Sequence, residues 1–112
     1  MGFIRRSNSI TQKYGEIVYY FDGEFVRESS SITQKYGRIL YYFDGTFIRE
    51  ASSISQKYGR IVYCYNGDGF IRESSSITQK YGRILYYFDG TFVRRASGLT
   101  DKYGPIVYSV DG

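Results

Sequence analysis

The chain has 112 residues, enough for one domain, with 42% hydrophobic and 20% aromatic residues, a content that excludes disorder by composition. Its 15 basic and 11 acidic residues leave a net charge of +4, which permits an anionic partner without demanding one. Histidine is absent and Cys64 is the single cysteine, so the usual general base near neutral pH, an intrachain disulfide and a cysteine-based zinc site all drop out.

The first 22 residues after Met1, "GFIRRSNSITQKYGEIVYYFDG" (2–23), set a pattern that the rest of the chain copies. The second unit (24–45) reads "EFVRESSSITQKYGRILYYFDG" and the third (46–67) "TFIREASSISQKYGRIVYCYNG". One extra residue, Asp68, precedes the fourth unit (69–90), which differs from the second at only two positions. The fifth (91–112), "TFVRRASGLTDKYGPIVYSVDG", departs furthest. A fixed period of this size is the signature of a repeat architecture.

Each unit predicts two strands. One is the β-branched and aromatic run before Asp-Gly ("RILYYF"), and the other is the "TFIRE" that follows it. Asp-Gly between them signals a two-residue type I′ hairpin turn with positive φ at both central residues. The Gly of "QKYGR" is expected to close a second turn in a left-handed conformation, with a bulge. The fold class is therefore all-β: ten strands in five tandem hairpins, an up-and-down antiparallel meander, open or closed, in a single repeat domain. A β-solenoid of 22-residue coils is the alternative, but it has no need of Asp-Gly at every junction.

A two-residue turn pairs Phe43 with Thr46, Tyr42 with Phe47 and Tyr41 with Ile48. Alternation then puts Ile39, Tyr41, Phe43 and Ile48 on one face and Leu40, Tyr42, Phe47 and Arg49 on the other. The first face barely changes between units. The second swaps Tyr20, Tyr42 and Tyr87 for Cys64 and Ser109. Truncating a buried aromatic costs about 3–5 kcal/mol, so the first face is assigned to the core and the second is expected to be partly exposed.

On that second face lie three Tyr–Phe–Arg clusters: Tyr20, Phe25 and Arg27; Tyr42, Phe47 and Arg49; Tyr87, Phe92 and Arg94. Aromatic pairs beside a guanidinium suit stacking on flat ligands such as sugar faces. The same pairs also serve simply to stabilise hairpins. The columns of Arg5, Arg27, Arg49, Arg72 and Arg94 and of Lys13, Lys35, Lys57, Lys80 and Lys102 could follow a phosphate backbone. Glu28, Glu50 and Glu73 interrupt that positive field and argue against nucleic acid. Asp22, Asp44, Asp89 and Asp111 stand singly and are read as turn residues rather than calcium ligands. The serine runs at 29–31 and 74–76 lack an activating partner.

The recurring "FIR…YG…ILYYFDG" resembles short bacterial tandem β-hairpin repeat proteins of uncharacterised function, and the resemblance spans all five units. More distantly it is similar to MORN-type repeats and to the hairpins of cell-wall-binding repeats, although Trp and the MORN glycine spacing are missing. The expectation is a non-enzymatic scaffold for assembly or binding, without cofactor or metal. The alternative is a multivalent carbohydrate- or anion-binding module. The drifted fifth unit reads as the cap of an open array that self-associates. No signal-peptide-like or membrane-length apolar run is present, which points by default to an intracellular protein.

Overall fold

A computed structural model describes residues 2–111. Ten antiparallel strands follow one another as hairpins, and β1 (Gly2–Arg6) pairs with β10 (Ile106–Asp111), so the sheet closes on itself as a barrel. Between them run β2 (Ile17–Phe21), β3 (Phe25–Glu28), β4 (Ile39–Phe43), β5 (Phe47–Glu50), β6 (Ile61–Tyr65), β7 (Phe70–Glu73), β8 (Ile84–Phe88) and β9 (Phe92–Arg95). The strands are so short that the closed ring is a disc of 38 × 37 × 14 Å. No helix occurs among the described residues.

Closure replaces the open array. Phe3, Ile4, Arg5 and Arg6 pair with Asp111, Val110, Ser109 and Tyr108. Asp111 does for β1 what Asp22 does for β3: its Oδ1 accepts the Phe3 N–H at 2.9 Å and its Oδ2 meets Arg5 at 3.0 Å. β1 and β10 thus supply the two strands of one hairpin of the repeat. A register shift recurs where each of the longer connections brings two strands together, between Ile4 and Arg5, Val26 and Arg27, Ile48 and Arg49, Ile71 and Arg72, and Ile106 and Tyr108. A bulge bends its strand and raises the local twist, and five equivalent bends bring the sheet round to its own edge.

The Asp-Gly turns are not of the expected type. Only the glycines take positive φ (Gly23 101°, Gly45 102°, Gly90 100°), and no other residue type does so. Asp44 acts through its side chain: Oδ1 accepts from Thr46 N–H at 2.9 Å and Phe47 N–H at 2.7 Å. The register consequently slides by two residues, pairing Phe43 with Ile48 and Tyr42 with Arg49. An even slide keeps each of these side chains on its face. After the third unit the inserted Asp68 takes over as acceptor for Phe70 N–H at 3.0 Å, while Asn66 turns to the Lys80 carbonyl at 2.7 Å.

The glycine of "QKYG" was expected to be left-handed, and it is not. Gly37 is required by close approach, because a Cβ there would lie 2.1 Å from the Glu28 carbonyl oxygen. This contact locks a ten-residue loop onto the outer wall of the barrel. Within the loop, the buried Ser29 hydroxyl lies 2.7 Å from the Gln34 carbonyl, and the Gln34 Oε1 accepts from Ser30 N–H at 2.8 Å.

The two faces also exchange roles. The constant face lines the bore: Tyr19, Tyr41, Tyr63, Tyr86 and Tyr108 converge on the axis, with Tyr41 and Tyr63 centroids 6.4 Å apart and Tyr19 and Tyr108 6.2 Å apart. These residues are only half-buried. The most buried apolar groups lie on the outer wall, under the loops, as separate small cores: Phe25, Ile39 and Ala51; Phe47, Ile61 and Cys64; Phe70, Ile84 and Ala96. Ile39 reaches the outer wall because the bulge pairs it with Arg27 rather than leaving it in phase with Tyr41. Cys64 (0% exposed) and Ser109 (2%) are the most deeply buried side chains. Variation at their position therefore marks a border, not an open surface. A tyrosine reaches outward there to a lysine of the next loop, whereas the Ser109 hydroxyl bonds the Lys13 carbonyl at 3.1 Å.

Candidate functional site

The Tyr–Phe–Arg residues come together, but in a new grouping and beneath a cover. Tyr20 pairs with Arg27 and Tyr42 with Arg49; of the three phenylalanines only Phe25 stacks on a tyrosine of another strand, whereas Phe47 faces Cys64 and Phe92 faces Ser109. Phe25 lies against Tyr42 at 5.3 Å, Phe3 against Tyr20 at 4.9 Å and Phe70 against Tyr87 at 5.0 Å. Phe25, Phe47 and Phe92 are buried. Lys35 lies over Tyr20, Lys57 over Tyr42 and Lys102 over Tyr87.

The guanidinium of the cluster is largely buried too. Arg27 pairs with Asp22 at 3.4 Å and donates to the Gly37 carbonyl at 3.4 Å. Arg49 and Arg94 repeat the arrangement through Asp44 and Asp89, each at 3.6 Å, and through Gly59 and Gly104. Burial of these aspartates favours the neutral acid. The backbone N–H bonds and the neighbouring arginine outweigh it, so Asp22, Asp44 and Asp89 titrate below the ordinary carboxylate range. The nine residues singled out in sequence thus form the inner support of a surface, and the surface itself is a residue further out.

That outer residue is the tyrosine of "QKYG". Tyr14, Tyr36, Tyr58, Tyr81 and Tyr103 are 78–89% exposed. Each ring rests on the guanidinium below it: Arg5, Arg27, Arg49, Arg72 and Arg94 sit 5.4–5.8 Å from the ring centroids. A cation under one face of an aromatic ring fixes its position and leaves the other face open. Ile10, Ile32, Ile54, Ile77 and Leu99 are exposed in the same loops. Ten large apolar side chains are thus held out in water around the rim, where folding alone gains nothing from them. Sequence reasoning passed these tyrosines over because they stand in a turn. Their invariance in all five units was the available signal.

Two other features repeat round the ring. Grooves between neighbouring loops are edged by arginine–glutamate pairs, as at Glu28–Arg38, Glu50–Arg60 and Glu73–Arg83. At the opposite mouth of the bore, Phe21, Phe43, Tyr65 and Phe88 with Val26, Ile48 and Ile71 line an open, apolar concavity of about 190 Å³. No group of three or more metal-ligating side chains occurs among the described residues, and no helix is long and apolar enough to cross a membrane.

The model of the family described as "6-fold beta flower protein" matches residues 4–112, and the chain belongs to that family. This member builds its ring from five units rather than six. No curated protein and no solved structure matches it.

Proposed function

We propose that this beta flower protein is a non-enzymatic display scaffold whose rim tyrosines bind a repetitive ligand, a glycan chain or a glycan-coated surface. The observation that carries the reading is the five exposed rings, each seated on a guanidinium. An amphipathic ring with a free face is suited to the C–H face of a sugar, and its two side-chain torsions are already constrained, so little entropy is lost on binding. One such contact is weak. Five on a rigid disc convert later contacts into intramolecular ones, which can raise avidity by about 10²–10⁴-fold. The absence of histidine and the burial of the only thiol support a role without catalysis.

A glycan array probed with the protein and with a set of Tyr→Ala variants tests the reading. Retention should fall more than in proportion as Tyr36, Tyr58 and Tyr81 are removed in turn. A variant lacking all five rings that is still retained, or an intact protein that no glycan retains, would refute it.

A second reading, assembly, is favoured by the apolar mouth of the bore. A flat disc can bury this mouth against that of a second copy about a two-fold axis. Sedimentation of wild type beside Phe43→Glu tests it, with a dimer expected only for the wild type.

A further inference from the structure

The groove-edge ion pair is regular in three units and broken in two. Glu28–Arg38, Glu50–Arg60 and Glu73–Arg83 are bidentate, Nε to one carboxylate oxygen and Nη2 to the other. In the first unit the pair is reversed, with Arg6 Nε to Glu16 at 2.8 Å. In the fifth it is abolished, since Arg95 stands where the three regular units have glutamate and Pro105 where they have arginine. Among the described residues Arg95 has no ion-pair partner.

Closure makes these two irregular units neighbours. Arg6 and Arg95 line one groove of about 490 Å³ together with Asn8, Gln12, Ile106, Val107 and Tyr108. No carboxylate lines it, whereas the groove over β2 carries Glu16 and Glu28 against Arg6 and Arg38. Asn8 is itself a departure, for the other units have serine at its position. Three departures, Arg6, Asn8 and Arg95, thus meet in one place; Arg6 keeps Glu16 as its partner at 2.8 Å, and Arg95 is the cation left without one among the described residues.

We propose that this seam groove is an oxyanion site for the phosphate or carboxylate group of a small molecule. Guanidinium groups match either group in paired, charge-assisted hydrogen bonds. Burial and then the neighbouring Tyr19, its side-chain hydrogen-bond partner, push the Tyr108 phenol up while Arg6 and Arg95 pull it down, so both cations act on this hydroxyl. The site is distinct from the rim tyrosines and does not rest on their role.

The test is a two-dimensional NMR titration at low ionic strength with inorganic phosphate, with acetate, and with chloride as control. Saturable shifts confined to residues 6–8, 95 and 106–108 are expected for one or both oxyanions, and the two arms tell phosphate from carboxylate recognition. The double substitution R95E/P105R installs the ion pair of the other units. It should weaken binding about tenfold or more, as loss of a charged hydrogen bond does, with the melting temperature held or raised. Arg95→Gln, which removes the guanidinium without adding a carboxylate, should weaken binding in the same direction. Replacing the rim tyrosines should leave it unchanged. Shifts spread evenly over all basic residues, no saturation by either oxyanion, or wild-type binding by the two Arg95 variants would overturn the proposal.

Discussion

Replacing Gly37 with alanine separates two accounts of why the repeat keeps this glycine. The new Cβ would lie 2.1 Å from the Glu28 carbonyl oxygen and 3.1 Å from its carbon. Both are backbone atoms of a paired strand, so no rotamer change relieves the contact. Relief needs a movement of about 1 Å, since van der Waals contact begins near 3–3.5 Å. That movement pulls on the 2.8 Å Glu28 N–H to Arg38 carbonyl bond that ties the loop to the wall. Overpacking costs about 1–3 kcal/mol, and a weakened backbone hydrogen bond adds about 1 kcal/mol. The expected loss is therefore about 2–4 kcal/mol, or a fall in Tm of about 8–16 °C at ~4 °C per kcal/mol for a chain of this size. Scanning calorimetry of Gly37→Ala beside Gly98→Ala reads it. Gly98 has open space where its Cβ would go, so that variant should match wild type or gain about 0.4–1 kcal/mol. Gly37→Asn provides the refutation. Asparagine tolerates a left-handed backbone but carries the same Cβ, so the steric account requires it to melt at least as low as the alanine variant. A Gly37→Asn protein that melts near wild type would show that the close approach is not what holds the position.

Acid should loosen the hairpins: Asp22, Asp44, Asp68 and Asp89 all titrate below their ordinary value when folded, because hydrogen bonds and arginine outweigh burial. Their stabilisation is complete above the unfolded value near about 4 and disappears as pH falls through the lower folded values. The urea midpoint should hold from about pH 7 to 5 and drop below about 4, with a shallower drop in Asp44→Asn, which keeps the acceptor oxygen. Cys64 should resist thiol reagents in the native protein and react at once in denaturant, since burial raises its thiol above the ordinary value and its S–H donates to Asn66 at 3.0 Å; prompt native labelling would contradict its placement. Deletion of residues 91–112 removes β9 and β10 and leaves β1 and β8 as unpaired edges, so the truncated chain should unfold or aggregate in size-exclusion chromatography and circular dichroism, and a folded monomer would show that closure is dispensable.

What the sequence by itself determined is local or periodic. The 22-residue spacing, the strand at "ILYYF", the turn at Asp-Gly and the alternation of side chains all follow from near neighbours along the chain. An error of two residues in register left Tyr41, Tyr42, Phe43 and Ile48 on their correct faces, because strand geometry has a period of two. Three matters depended on atoms distant in sequence. Closure needs the summed bend of five bulges, and each bulge shows itself only as a mismatch between strands; it also carried Ile39 to the opposite face from Tyr41. Which face is core turned on where the loops fold: Gly37 against Glu28 puts the loop on the outer wall, burying Phe25 there and leaving Tyr41 to line a bore. The site followed from the same contact. The loop covers Tyr20 and Arg27 and lifts Tyr36 into solvent, so the exposed ring is the one whose partner, ten residues away, only the folded chain supplies.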